Sequence, residues 1–103
     1  MHRRVVIAQL LIAESEVKSV SHSGDTEEGY LYDVTMESGK KLKVRIRPGS
    51  TVQIKKGEDF ETLEVGVPDD IVNLQENNMS DFHQALQSWL TDSRAFQEES
   101  AKF

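Results

Sequence analysis

The chain has 103 residues, 37% of them hydrophobic and 29% charged, with a formal net charge of −6 and no cysteine. That length suits one domain, and the patterned apolar runs suit a thin core rather than disorder. The missing cysteines exclude disulfides, thiolate metal sites and cysteine nucleophiles, and the net negative charge disfavours nonspecific attraction to nucleic acid or anionic lipid.

His2-Arg3-Arg4 precede an apolar stretch from Val5 to Ala13 that Gln9 interrupts. The stretch is too short to cross a bilayer, which takes about 20 residues, and no small-residue cleavage pattern follows it. It reads as a core element rather than a signal peptide. Apolar residues surround its whole circumference, so residues 5–20 fit a strand or a helix. Strands are preferred, with Glu16 to His22 forming the second. The polar, acidic run from Ser21 to Gly29 reads as an exposed connection.

Strict alternation begins at Tyr30. Tyr30, Tyr32, Val34 and Met36 share one face, and Leu31, Asp33 and Thr35 the other. After a turn at Ser38-Gly39-Lys40, Leu42, Val44 and Ile46 oppose Lys41, Lys43, Arg45 and Arg47. Pro48-Gly49-Ser50 turns the chain into a third strand, with Val52 and Ile54 inward and Thr51, Gln53 and Lys55 outward. Phe60, Leu63, Val65 and Val67 supply a shorter fourth. Matching apolar faces pairs Met36 with Leu42, Val34 with Val44 and Tyr32 with Ile46 in the first hairpin. The same matching pairs Ile46 with Val52 and Val44 with Ile54 in the second.

Pro68-Asp69-Asp70 opens a short helical turn that Asn77-Asn78 ends. Ser80 is the expected N-cap of a C-terminal helix. On it Phe82, Ala85, Leu86, Trp89, Leu90 and Phe96 form one apolar stripe. Thr91-Asp92-Ser93 is the point where that helix could divide, and residues 97–103 are polar enough to fray. The expected fold is therefore α+β, a single domain over residues 1–103. It is a curled antiparallel β-meander, closing at most to a small partly open barrel, with the amphipathic helix packed on it.

The charge is unevenly spread. Residues 40–56 carry +7 and the remainder −13. Lys41, Lys43, Arg45, Arg47 and Lys55 would stand in rows about 4.8 Å apart on the outer face, forming a candidate binding surface. The same residues could equally be a solvated wall, because the expected register sets Glu37 against Lys41 and Asp33 against Arg45, and the acidic loop of Asp25, Glu27 and Glu28 could fold over them. No aromatic platform for stacking bases lies on that face. Trp89 and Phe96 are the candidate helix interface.

No phosphate-binding or nucleophile motif occurs. His2, His22 and His83 are scattered without metal-ligand spacing, so no metal or other cofactor is expected. The size and charge profile is similar to that of small bacterial and phage-encoded inhibitors and immunity proteins, and no motif carries the resemblance. The expected function is a non-catalytic, cytoplasmic protein-binding module: an adaptor, an inhibitor or a regulatory subunit. It would contact a protein partner or a second copy of itself, and no membrane. The runner-up is a nucleic-acid-binding domain using the basic face of residues 40–56. A third reading is a small enzyme with a site assembled around His22 or His83 and loop carboxylates.

Overall fold

A computed structural model describes residues 16–103. The apolar stretch from Val5 to Ala13 lies outside the described residues. The described chain forms one five-stranded antiparallel sheet in the order β1-β2-β3-β4-β5. The strands are β1 (Val17–Thr26), β2 (Gly29–Met36), β3 (Lys41–Ile46), β4 (Thr51–Lys56) and β5 (Asp59–Gly66). Among the described residues β1 and β5 do not pair with each other, so the meander is an open sheet rather than a barrel.

Alternation decides the two faces. Tyr32, Val34, Met36, Leu42, Val44, Ile46, Val52 and Ile54 are all buried on the inner side. A sheet with one such face needs a cover. The chain after β5 provides it: α1 (Asp69–Val72), a 3₁₀ turn (Asn73–Glu76), α2 (Met79–Asp92) and α3 (Arg94–Ser100). Phe82, Leu86 and Leu90 recur every four residues along α2, and all three are fully buried, as is Phe96 of α3. Each large apolar side chain taken from water contributes about 1.5–3 kcal/mol, so this stripe is the main reason the helices stay on the sheet. α2 packs against β1, and α3 against β5.

The second hairpin has the expected register, with Val44 opposite Ile54 and Ile46 opposite Val52. The first is displaced by two residues: Val34 faces Leu42, Tyr32 faces Val44 and Tyr30 faces Ile46. A two-residue slide keeps every side chain on its own face, so apolar matching cannot distinguish the two pairings. The turn decides. The Met36 N–H donates to the Lys40 carbonyl at 2.8 Å and the Gly39 N–H to the Met36 carbonyl at 2.9 Å. This closure places Gly39 at φ +89°, which glycine adopts without a Cβ clash. Glu37 consequently leaves the ladder, and Asp33 lies opposite Lys43 instead of Arg45.

β1 extends through most of the segment expected to be a connection, leaving Glu27 and Glu28 as the turn. Asn78, not Ser80, caps α2: its Oδ1 accepts the Asp81 N–H at 3.2 Å. The chain does divide at Ser93, whose Oγ accepts the Phe96 N–H at 3.2 Å and starts α3. Ser100 is buried, its hydroxyl donates to the Gln97 carbonyl at 2.9 Å, and Phe103 packs against the core. No helix among the described residues is long and apolar enough to cross a membrane.

Candidate functional site

The sheet's outer face carries all five expected basic residues, in unequal states. The Arg45 guanidinium is nearly enclosed. It donates to Glu28 Oε2 at 2.6 Å and, through Nε, to Gln53 Oε1 at 2.8 Å. It also lies 4.1 Å above the Phe60 ring. Gln53 in turn donates to Thr62 Oγ1 at 3.0 Å, so this nearly buried amide is satisfied. Lys43 pairs with Asp33 at 2.6 Å. Two of the five charges are thus neutralised by neighbouring carboxylates. Among the described residues no carboxylate pairs with Lys41, Arg47 or Lys55, and all three are exposed.

Between these charges lies an open groove of about 500 Å³. Leu31 and Phe60 supply its apolar lining, Lys43, Arg45 and Lys55 its cations, and Glu28 stands at its rim. The sequence pattern put the cations on one face. It did not show Phe60 beside them: Phe60 lies opposite Lys55 in the regular register that runs from the β4–β5 turn and so shares its outward side, while the register shift in this pair comes only beyond Gln53.

A second constellation sits on the inner side at the β1 end. β1 breaks its ladder between His22 and Gly24, so Ser23 is an extra residue. His22 then pairs with Tyr32 and Asp25 with Tyr30, two residues of β2 that share a face. In a regular strand residues three apart point to opposite sides; the bulge returns His22 and Asp25 to the same side. His83, in the second turn of α2, meets them there.

The His22 Nε2 lies 2.7 Å from Asp25 Oδ1, and His83 Nε2 lies 3.9 Å from the same oxygen. The two imidazoles stack with centroids 3.9 Å apart and planes 25° from parallel. His83 Nδ1 is hydrogen-bonded to the phenol of Tyr32, which is fully buried. Tyr30 abuts the His83 ring edge-on at 5.4 Å. Burial, reinforced by the Asp25 carboxylate and Tyr30, pushes the Tyr32 hydroxyl well above its ordinary value and keeps it protonated. Burial also lowers His83, and His22 adds to that; Asp25 opposes them without reversing the direction. Of the histidines expected to stay scattered, His22 and His83 are therefore joined through Asp25 and Tyr32, and His2 lies outside the described residues. The sequence signal was limited to His22 standing three residues before Asp25.

Of the candidate helix interface, only Trp89 retains exposed surface. Phe96 is fully buried, and Trp89 is half-buried with its ring 6.4 Å from that of Phe96 and packed on the core. Both residues serve to fasten the helices to the sheet. No family model, curated protein or solved structure matches this chain.

Proposed function

We propose that this chain is a non-catalytic protein-binding module, an adaptor, inhibitor or regulatory subunit, that engages its partner through the outer face of the sheet. The observation that carries this reading is the groove of Leu31 and Phe60 bordered by Lys43, Arg45 and Lys55 on a face that no described helix covers. Its chemistry suits a partner offering an apolar side chain beside acidic groups. Arg45 is held in place by Glu28, Gln53 and Phe60 and loses little side-chain freedom on contact, while Lys41, Arg47 and Lys55 can steer an acidic surface inward. A chain without cysteine is at home in the reducing cytoplasm, where we place it.

Nucleic acid is the weaker candidate for the same face. Glu28 and Asp33 already occupy two of its cations, and Phe60 lies beneath Arg45 instead of standing free to stack a base. The enzyme reading has one observation in its favour, the imidazole–carboxylate contact of His22 and Asp25.

The test is capture from nuclease-treated lysate with the native chain and a Lys41→Glu plus Lys55→Glu variant, followed by reconstitution with the purified partner. A stoichiometric partner that the variant loses, with binding weakened by salt, supports the outer face. Equal capture by the variant, or recovery of the chain's own copies alone, overturns it.

A further inference from the structure

The donor set of His22, Asp25 and His83 has no part in the outer-face reading, and it converges on the opposite side of the sheet. One ligand atom from each lies within 4.8 Å of the other two. We propose that these three residues bind a divalent first-row transition ion of the zinc type, with Tyr32 as the residue that orients His83.

Four features support this. First, the donors are close to coordination spacing. Ligand atoms about 2.0–2.1 Å from a tetrahedral zinc lie about 3.3 Å from one another. The observed 2.7 Å and 3.9 Å contacts bracket that value. An ion entering between them replaces the proton His22 shares with Asp25 and splays the two stacked rings. Although they share the inner side with Tyr30 and Tyr32, His22 and Asp25 are exposed residues of the edge strand β1, so they can move without disturbing the core.

Second, the donor types select the ion. Two imidazoles and one carboxylate suit zinc, cobalt or nickel; calcium and magnesium prefer all-oxygen cages. Third, His83 has an outer-shell partner. With the metal on Nε2, its Nδ1–H donates to the Tyr32 hydroxyl, the arrangement that fixes the tautomer and plane of a ligating histidine. Tyr32 is itself immobilised by complete burial and Tyr30 braces the same ring, so the site is built on packed elements on one side. Fourth, the other side is open. The Asp25 side chain is 51% exposed against 16% for His83, which leaves room for water at the remaining coordination position. A three-residue set with an open position is the arrangement of a reactive site or of one completed by another molecule, in contrast to the closed four-ligand sites that only hold a fold.

The experiment titrates tag-free, chelator-treated protein with Co²⁺ and Zn²⁺. Co²⁺ should give a visible d–d absorption band saturating at one equivalent, and Zn²⁺ should abolish the band and bind one-to-one by calorimetry. Mg²⁺ should compete with neither. His22→Ala should weaken Zn²⁺ binding by at least about a hundredfold, and Tyr32→Phe by about ten- to a hundredfold at unchanged stoichiometry, the range for loss of an outer-shell partner. His22 lies at the open side, and circular dichroism verifies that its variant folds. Absence of the Co²⁺ band at millimolar ion overturns the proposal. So does one-to-one binding that survives in His22→Ala, which would place the ion elsewhere. Partner capture through Lys41 and Lys55 is read separately, so either result can fail without the other.

Discussion

The Gly29 position offers the sharpest test of the packing between β2 and β3. Gly29 opens β2 at φ +151°, in a region that L residues rarely enter. A Cβ added there would meet the Ile46 carbonyl oxygen at 2.6 Å and the Arg45 Cγ at 3.0 Å. The Ile46 oxygen belongs to the backbone of a central strand paired on both sides, so it cannot withdraw without disturbing two ladders. Gly29→Ala should therefore carry two penalties, about 1–3 kcal/mol for the backbone conformation and about 1–3 kcal/mol for overpacking. Gly39→Ala is the internal control. Its φ of +89° is also positive, yet a Cβ there meets nothing within 4 Å. It should cost only the conformational part, about 1–2 kcal/mol. Urea unfolding followed by Trp89 fluorescence gives both values, provided the slope with denaturant is unchanged. For a domain of this size the larger penalty also lowers the melting temperature by about 10 °C or more. If Gly29→Ala is no more destabilising than Gly39→Ala, the close approach of the β1–β2 turn to the end of β3 is wrong. The placement of Glu28 beside Arg45 would be wrong with it.

Two further outcomes follow from the helical layer. Ser93→Ala removes the oxygen that accepts the Phe96 N–H and should destabilise the fold by about 1 kcal/mol in urea unfolding, whereas the neighbouring Arg94→Ala, at a 75% exposed side chain, should stay within about 0.5 kcal/mol of the parent. Glu99 ties α3 to the outer edge of β5: its Oε2 accepts from Lys102 at 2.8 Å and its Oε1 from the Glu64 N–H at 3.1 Å. The Lys102 hydrogen bond is the largest influence holding the Glu99 carboxyl below its ordinary value of 4.5; desolvation opposes it, and the Glu64 N–H assists. The unfolded chain then binds the proton more readily, so this contribution is complete above pH 4.5 and is lost as pH falls through the folded value. Stability measured from pH 6 to pH 3 should fall more steeply for the parent than for Glu99→Gln, and parallel curves would refute the link.

Much of the fold was legible because most strands keep a period of two. The faces from Tyr30 to Ile54 follow from alternation alone, and burial agrees with them except at Gln53, an outward residue that is nearly buried, and at Tyr30, which is only half-buried. What alternation could not supply was the slide between equivalent registers, which the backbone bonds around Gly39 decide. β1 resisted reading for a different reason. Its inward residues are Val17, Val20, His22 and Asp25, spaced three, two and three, because Lys18 and Ser23 both fall outside the ladder. That spacing matches neither a strand nor a helix. The acidic, glycine-bearing end of β1 therefore looked like a loop. The same irregularity concealed the site: only the paired strand, together with a helix that starts more than fifty residues later, brings Asp25, Tyr32 and His83 to one place. The basic face was legible as a face, but its charge state was not, since Glu28 reaches Arg45 from a turn whose position depends on where β1 ends.

The two residues left out of the β1 ladder uncouple chain length from side-chain placement. In a regular strand a one-residue deletion inverts every position beyond it. Here, removing Ser23 would leave His22 opposite Tyr32 and Asp25 opposite Tyr30, now in strict alternation, and removing Lys18 would leave Val17 opposite Met36 and Val20 opposite Val34. A gap or insertion at these two points can therefore pass through this strand without changing which groups meet Tyr30, Tyr32 and His83. Relatives of this chain should be aligned by those contacts, allowing β1 to differ in residue count.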